Sequence, residues 1–452
     1  MPVSPSIFDA LLRESYGEAA YKVSERLIDA GFDTWWVGGA VRDMLGDIMP
    51  KDIDVATAAH PEDIVRLFPE ATIAEKALGS TRVRCGVYVF ELTTFRKESA
   101  ESIGRKPVTV QFGTREEDAE RRDLTINALY AHPVARELYD PFEGEDDLRE
   151  KLIRFIGDPA VRIKHDPLRM LRAIRMRAKI DGQYHPDTFA ALHENASLST
   201  KISGARLLNE LEKLLLYPFA ERGLEDLWEL DILEQCLPEL HRCKGIPQPA
   251  DFHHEGDLWD HLLHCVSAFR PDDLLDVRFA TLLHDIGKVE TFALKERIRF
   301  DRHAEISAKL ATDILKKLGA PARRREKIAW LISHHMMMEP LLHMNEERKT
   351  HWYHHPWFED LQRLFWLDIA GTAPSDFALF DRIVEDRNIF LNNHPRPLRP
   401  LLTGEDVMAL TGLRPSARIG EILEKISEAQ EKGIITTKHE AQQFVQSWEE
   451  SR

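Results

Sequence analysis

The pattern of hydrophobic and polar residues predicts that the chain begins with a helix, a strand and a glycine turn. Apolar residues recur at helical spacing from Ile7 to Ala30, which is typical of an amphipathic helix. The run from Thr34 to Val37 is apolar and β-prone, and Gly38, Gly39 and a helical segment from Ala40 to Leu45 follow it.

Further short β-prone runs and two helical segments predict a small α/β domain. The predicted strands are Ile53 to Ala56, Thr81 to Cys85, Gly86 to Phe95 and Val108 to Phe112. The predicted helices run from Pro61 to Phe68 and from Glu116 to Leu129.

From Pro159 onward the pattern changes to long helical periodicity with few strand signals. Two segments rich in proline and polar residues, 243–250 and 392–400, indicate boundaries between units. The sequence therefore predicts an α/β head at residues 1–157, a helical neck at 158–243, a helical middle unit at 250–375 and a helical tail at 395–452.

Composition is typical of a globular protein with several cores. The 452 residues are 43% hydrophobic and 30% charged, and this length exceeds what one core usually serves. The N-terminus lacks a basic start before an apolar run, and no later stretch is apolar for long enough to span a bilayer, so we expect a cytoplasmic protein without a membrane partner. The four cysteines form no CxxC pair and are interpreted as reduced thiols.

The formal net charge of −16 restricts any contact with nucleic acid to a local surface. Residues 162–179 provide such a surface, because seven basic residues accompany a single acid, Asp166. The basic residues are Arg162, Lys164, Arg169, Arg172, Arg175, Arg177 and Lys179.

Three acids of the head are candidate ligands of a metal pair. Asp52 and Asp54 flank Ile53 at the start of a predicted strand, so alternation points both carboxylates to one face. Glu91 lies in another strand and can complete the site. Hard oxygen ligands in this arrangement suit Mg²⁺, and two such ions can activate a 3′ hydroxyl and stabilise a leaving pyrophosphate.

Two further motifs supply groups for a nucleotide. The glycine turn places Gly39 at a helix start, where backbone N–H groups can receive phosphate oxygens and Arg42 adds positive charge. In the predicted helix at 116–129, Arg122 can contact phosphate. Asp123 and Asn127 share a face of that helix and can hydrogen-bond a ribose hydroxyl.

The segment 166–175 (DPLRMLRAIR) predicts a helix on which Arg169, Arg172 and Arg175 recur every third residue. Asp166 and Arg169, held beside the sugar and triphosphate, can present hydrogen bonds to the Watson–Crick edge of a base. Side chains can in this way replace a nucleic-acid template.

The ordered motifs GGAVRD, KDIDVAT, FELTTFR, RRDLTINAL and DPLRMLRAIR resemble those of class II CCA-adding enzymes and bacterial poly(A) polymerases. The similarity covers the head and neck, and the segment 402–441 also resembles the C-terminal region of bacterial members. The resemblance implies a polymerase-β-like nucleotidyltransferase head, followed by an all-α neck and further helical units.

The resemblance also implies roles for single residues and the partners tRNA, ATP and CTP. Asp52 and Asp54 are then metal ligands, and Asp123 holds the ribose. In many members a glutamate precedes the aspartate of the base-reading motif and steadies its arginine, whereas this chain has His165 there. The residues implied at the nucleotide are Gly39, Arg42, Arg122, Asp166, Arg169, Arg172 and Arg175.

A second candidate site lies in the middle unit, where His261, the adjacent pair His284 and Asp285, and Asp368 follow in order. This series resembles an HD domain, a phosphohydrolase fold in which these four residues bind a divalent metal of unspecified identity between helices. Further histidines, at 303 and at 334 or 335, can support a second metal.

The sequence leaves alternative functions open. The first is CCA addition to tRNA from CTP and ATP, and the second is A addition or poly(A) synthesis by the same chemistry. The stretch Glu98 to Pro107 resembles the flexible loop needed for terminal A addition, which disfavours a purely CC-adding enzyme. An HD phosphohydrolase with a nucleotide-binding head, or an RNA-binding protein without activity, fits less well because the head retains every catalytic carboxylate.

Overall fold

The computed structural model describes residues 5–75, 79–97, 111–248, 256–294, 298–394, 401–431, 434–435 and 437–450. The chain divides into two compact units, one formed by Met1–Met338 with Glu359–Phe377 and the other by Glu339–Phe358 with Ala378–Arg452. Within the described ranges, no helix is long and apolar enough to cross a membrane.

The first unit begins with a mixed sheet. Its order is β3-β4-β5-β2-β1-β8-β9, with β2 and β5 parallel and the other neighbours antiparallel. A separate short pair joins β6 and β7. The strands are β1 (Thr34–Val37), β2 (Asp54–Thr57), β3 (Thr72–Glu75), β4 (Ser80–Cys85), β5 (Tyr88–Thr94), β6 (Arg96–Lys97), β7 (Gln111–Phe112), β8 (Tyr130–Ala131) and β9 (Leu138–Tyr139).

Helices cover one face of this sheet. The apolar sides of Val55, Val83, Phe90 and Leu92 form a core with residues of α1, α2 and α4. Because strand side chains alternate, the residues between them point to the other face, where Trp35, Val37 and Ala56 of β1 and β2 form a second core with Phe95, Ala119 and Tyr130. The helices of the head are α1 (Pro5–Arg13), α2 (Ser15–Asp29), α3 (Gly39–Leu45), α4 (Pro61–Leu67), α5 (Arg115–Glu120) and α6 (Gly144–Arg149).

Two predicted helices of the head are interrupted. The single helix expected at 7–30 is two helices, which meet where a side chain on Gly17 would clash with the Leu11 carbonyl oxygen. The helix expected at 116–129 ends at Glu120 and is followed by a short 3-10 turn, Thr125–Asn127. That segment bonds to distant groups instead, since the Thr125 hydroxyl donates to the buried Asp147 carboxylate at 2.6 Å.

The remainder is mainly helical, as the sequence predicts. The sequence analysis missed three short strands in this part: β11 (Gln183–Tyr184), which pairs with β10 (Leu152–Ile153) at the end of the head, and β12 (Phe292–Leu294), which pairs with β13 (Ile298–Phe300). The helices are α7 (Pro159–His165), α8 (Leu168–Ile180), α9 (Pro186–Glu194), α10 (Gly204–Leu215), α11 (Ala220–Glu229), α12 (Ile232–Cys236), α13 (Pro238–His241), α14 (Leu258–Ser267), α15 (Leu275–Leu283), α16 (Lys288–Thr291), α17 (His303–Lys317), α18 (Ala322–His334), α19 (Met338–Leu341), α20 (Glu346–Tyr353), α21 (Phe358–Gly371), α22 (Ala378–Asn393), α23 (Gly404–Thr411), α24 (Ala417–Glu431) and α25 (Lys438–Glu450).

The second unit has a core of its own. Leu402, Val407, Ile422, Ile426 and Val445 are buried together, which packs α23, α24 and α25 against one another. Four stretches that belong to segments named in the sequence analysis, 98–107, 108–110, 249–250 and 395–400, lie outside the described residues.

Candidate functional site

The acids of the head lie at the start of one strand and within its parallel neighbour. Asp54 begins β2, and the register of β2 with β5 pairs Val55 with Leu92, so Asp54 lies beside Glu91. Ile53 is buried between Asp52 and Asp54, and its backbone N–H donates to the Tyr16 hydroxyl at 2.9 Å.

Electrostatics in this acid cluster favour a cation. Partial burial raises the pKa of Asp54, and the negative charges of Asp52 and Glu91 raise it further, while Arg122 opposes the rise. The Ser80 hydroxyl donates to Glu91 at 2.6 Å. Crowded carboxylates of this kind lose their mutual repulsion when a divalent ion lies between them, so the residues present fit a metal.

Arg122 is fixed by partners in its own domain. Its guanidinium donates to the Tyr130 hydroxyl at 2.8 Å and to the Asp118 carboxylate at 3.1 Å. Burial raises the pKa of Asp118, but the charges of Arg122 and Arg121 outweigh that effect and lower the pKa below its usual value. Because both Nε and Nη2 of the guanidinium are hydrogen-bonded, the Arg122 side chain has a defined position.

Asp123 and Asn127 are close together, although they do not share an α-helix. The Asn127 side-chain amide donates to Asp123 at 3.1 Å, and Arg42 donates to the Asn127 amide oxygen at 2.5 Å. The other Asp123 oxygen forms an ion pair with Arg172 of α8, with 2.6 Å between Oδ2 and Nε. These contacts connect α3, the helix that follows the glycine turn, with α8 of the neck.

The pKa of Asp123 reflects these contacts. Burial raises the pKa, but the charge of Arg172 and hydrogen bonds from Asn127 and the Leu124 N–H outweigh it and lower the pKa to about 2. Asp123 therefore stays ionised throughout the physiological pH range.

Asp166 and Arg169, which the sequence predicts to read the base, lie at the junction of α7 and α8. Asp166 accepts from the Leu168 backbone N–H at 3.2 Å and from Arg206 of α10 at 2.7 Å. Arg169 donates to the carbonyl oxygens of Arg162 and Arg121, both at 3.2 Å. These two backbone carbonyls hold the Arg169 guanidinium.

Arg175 is held in the same way by α10. Its Nε lies 2.6 Å from a carboxylate oxygen of the buried Glu210, and its Nη1 donates to the Tyr217 hydroxyl at 3.1 Å. Arg206 and Glu210 are four residues apart on α10, so one face of that helix supports two members of the motif. Sequence reasoning missed both, because neither is near the motif along the chain.

A cavity of about 510 Å³ brings the head and neck candidates together. Asp52 is the one head candidate outside its lining, which also contains Arg96 and Arg121, two cations that sequence reasoning assigned no role. Both adjoin predicted residues, since Arg96 follows the Glu91 strand and Arg121 precedes Arg122. The predicted residues that line it are Gly39, Arg42, Asp54, Glu91, Arg122, Asp123, Asn127, Asp166, Arg169, Arg172 and Arg175.

The second site lies where α14, α15 and α21 approach one another. His261 Nε2 is 3.2 Å from Asp368 Oδ1, and His284 Nε2 is 3.4 Å from the same oxygen. His284 Nε2 is also 3.3 Å from Asp285 Oδ2. These separations resemble those between neighbouring ligands of one metal ion.

Two more histidines face the other oxygen of Asp285. His303 Nε2 and His335 Nε2 lie 3.3 Å and 3.7 Å from Asp285 Oδ1, and 3.2 Å from each other. Among the described residues, the ligand atoms that lie close enough to Asp285 to share an ion with it on this side are those of His303 and His335, and His334 is not in that group. Of the two residues named from the sequence, His335 is therefore the one beside Asp285.

The orientation of the four imidazoles fits metal binding. Each Nδ1 lies 2.7 to 3.3 Å from a backbone carbonyl oxygen, of Gly371 for His261, Thr281 for His284, Phe300 for His303 and Ile332 for His335. A proton on Nδ1 leaves the Nε2 lone pair for a metal. Within the described part of the chain, buried His284 Nε2 and Asp285 Oδ1 make no hydrogen bond, which also fits a bound cation.

Comparison with known families matches three parts of the chain. Residues 34–154 match the poly A polymerase head domain, 183–244 the probable RNA and SrmB-binding site of polymerase A, and 256–356 the HD domain.

Relatives match over nearly the whole length. The A-adding tRNA nucleotidyltransferase of Deinococcus radiodurans is 33% identical over 92% of this chain and 95% of its own. The CCA-adding enzyme of Ligilactobacillus salivarius is 28% identical over 90% of this chain and 91% of its own. The Bacillus stearothermophilus CCA-adding enzyme in complex with CTP shares the fold, with a TM-score of 0.63, 24% identity and coverage of 97% and 99%.

Proposed function

The chain belongs to the family of template-independent tRNA nucleotidyltransferases and bacterial poly(A) polymerases, and on that premise we propose that it adds C, C and A to the 3′ end of tRNA from CTP and ATP. The cavity of about 510 Å³ carries the proposal, because it combines metal-binding acids, cations for a triphosphate and an Asp–Arg pair for a base. Such a reaction belongs in the cytoplasm, where its substrates are found. In this proposal the head (1–157) carries out catalysis and the neck (158–243) binds the nucleotide and RNA. The middle unit (250–375) is an HD domain, and residues 395–452 form a tail.

Asp52, Asp54 and Glu91 are the proposed ligands of Mg²⁺. Their oxygen donors suit this ion, and the pKa of Asp54 is raised first by burial and then by the negative charges of Asp52 and Glu91, which a bound cation would offset. When bound, a pair of such ions activates the 3′ hydroxyl and neutralises charge on the leaving pyrophosphate. The surrounding residues then need only bind and orient the reactants.

In this proposal, different residues around the acids bind different parts of the nucleotide. Arg122, anchored by Asp118 and Tyr130, faces the triphosphate with the other cations of the cavity. Asp123 is ionised, and beyond the lone pairs used by Arg172, Asn127 and the Leu124 N–H it retains one on Oδ2, so it can accept a hydrogen bond from a ribose hydroxyl.

Asp166 and Arg169 read the base in this proposal. Cytosine presents an N4 donor beside N3 and O2 acceptors, and adenine an N6 donor beside an N1 acceptor. An aspartate acceptor next to arginine donors satisfies either base and is mismatched to uracil and guanine. Arg206 and two backbone carbonyls keep this pair in place before a nucleotide enters.

A addition alone is the second candidate. The relative that covers 92% of this chain at 33% identity is an A-adding enzyme, whereas the CCA-adding relative of similar coverage is 28% identical. The two activities use the same chemistry and differ in the first nucleotide accepted.

The products formed on defined tRNA ends distinguish these functions. A transcript ending at the discriminator base is expected to gain C, C and A with CTP and ATP present, and to gain two C residues with CTP alone. Extension only of a transcript that already ends in CC would establish A addition instead. A long A tract would establish poly(A) synthesis.

In the same assay, Asp52→Asn and Asp54→Asn are expected to lower kcat by about a hundredfold or more while tRNA binding persists, since these acids hold metal and not RNA. Glu70→Gln is the matched control, because Glu70 is an exposed acid of the head. Near-normal kcat in both aspartate variants would rule out the metal assignment.

Arg169→Ala is expected to relax selection against UTP and GTP as well as to slow addition, because its donors are aimed at the base. Loss of a bidentate contact is worth roughly 1 to 3 kcal/mol of discrimination. The measurement is kcat/KM for each of the four nucleotides, with the exposed Lys164→Ala as the control for lost charge. An equal proportional loss for all four would show that Arg169 contributes only charge.

The HD domain is proposed to hydrolyse phosphoesters with His261, His284, Asp285 and Asp368 as ligands of a divalent ion. His303 and His335 are proposed to bind a second ion with the other oxygen of Asp285. Such ions supply the Lewis-acid chemistry that phosphoester cleavage requires. This hydrolysis is independent of nucleotide addition in the proposal, because the ligands of the HD domain and the acids of the head are two separate clusters.

His284→Ala and Asp285→Ala are therefore expected to abolish hydrolysis of 4-nitrophenyl phosphate and bis(4-nitrophenyl) phosphate, assayed across a series of divalent ions, and to spare nucleotide addition. His264→Ala is the matched control, since His264 lies one turn along α14 from His261 and is exposed. Loss of both activities in a folded variant would show that the two sites are not independent.

A further inference from the structure

In the part of the head sheet that β4 and β5 form, helices cover one face, and the opposite face points away from them. Val83, Phe90 and Leu92 of β4 and β5 point into the core with α1, α2 and α4. The residues between them therefore point to the opposite face, which also carries Glu91.

Two arginines lie on this opposite face of β4. Arg82 is directly across from Glu91 in the antiparallel ladder, and Arg84 is across from Val89. Both guanidinium groups are exposed, and within the described residues neither has a hydrogen bond or an ion pair. The exposed Val89 adds an apolar surface beside Arg84.

Position and charge indicate what these arginines bind. They are two residues apart on one strand, so their Cα atoms are separated by about 6.7 Å along a line that begins at the proposed metal centre. On a chain of net charge −16, two neighbouring unpaired cations on an exposed face form a local site for a polyanion.

We propose that Arg82 and Arg84 bind successive phosphates at the 3′ end of the tRNA and so direct its terminal hydroxyl to the acids at Asp52, Asp54 and Glu91. This inference rests on the proposed function and adds a binding surface for the RNA primer. Phosphate contacts of this kind fix the position of a strand without reading its sequence.

The incoming nucleotide is a poorer occupant of this surface. The cavity that holds the nucleotide-binding candidates is lined by its own cations, among them Arg122 and Arg172, and its lining does not include Arg82 or Arg84. Glu91 borders both the cavity and the arginine surface, so the RNA end and the nucleotide meet at the metal centre from opposite sides of this residue.

The test compares Arg82→Gln/Arg84→Gln with Arg13→Gln/Arg66→Gln, a control pair whose exposed arginines lie on the helices that cover the other sheet face. The arginine-surface variant is expected to raise the KM for tRNA by roughly tenfold, the scale of lost charge-assisted contacts. The KM for CTP and ATP should not change.

Salt dependence gives an independent readout. The slope of log Kd for tRNA against log salt concentration is expected to fall by about 0.7 for each arginine removed, and so by about 1.4 in the double variant. Arg82→Lys/Arg84→Lys should restore the slope, because the charge remains. Melting temperatures check that each variant is folded.

An unchanged tRNA KM with an unchanged slope would overturn the inference, as would a rise in the KM for CTP or ATP alone. Failure of the proposed function has a different signature, because the unmodified protein would then fail to extend any tRNA end. The two failures are therefore distinguishable in one set of assays.

Discussion

The ion pair between Asp123 and Arg172 joins the α/β head to the neck, and the arrangement of the cavity proposed to bind the nucleotide depends on it. Asp123 is buried, so without the guanidinium its charge would lack an ion partner in a poorly solvated position. The pair fixes α8 against the head. It therefore also positions Arg169, in the first turn of α8, and Asp166, which lies two residues before that helix.

Contacts on either side make this joint rigid. On the head side, Asn127 bonds to Asp123 and Arg42 of α3 bonds to Asn127. On the neck side, Arg206 and Glu210 of α10 bond to Asp166 and Arg175. A protein that selects nucleotides without a template needs such preorganisation, because hydrogen-bond donors and acceptors discriminate between bases only when they are held in position. Arg122, Arg169 and Arg175, which line the cavity, are accordingly each held by another side chain or a backbone carbonyl.

Local signals in the sequence were sufficient to predict much of this arrangement. Strand alternation and acid content, which are readable from short windows, predicted Asp54 and Glu91, and spacing predicted the arginines at every third position of α8; these residues line one cavity. The segment 121–128 was expected to be helical, yet its backbone and side chains bond to partners far along the chain, such as Asp147 and Arg172. Long-range pairs of this kind, like that of Glu210 with Arg175, leave no periodic signal. The sequence also could not decide between His334 and His335, because the choice depends on where α18 ends, and that end falls between these two residues.

The most direct test of this account is a double-mutant cycle on the joint, with the Kd for CTP measured by calorimetry for the unmodified protein, Asp123→Asn, Arg172→Gln and the double variant. If the pair acts as one unit, the double variant binds CTP about as weakly as the weaker single variant, with a coupling energy of about 1 to 3 kcal/mol. Losses that add to within about 0.5 kcal/mol would contradict the claim that this pair builds the nucleotide site.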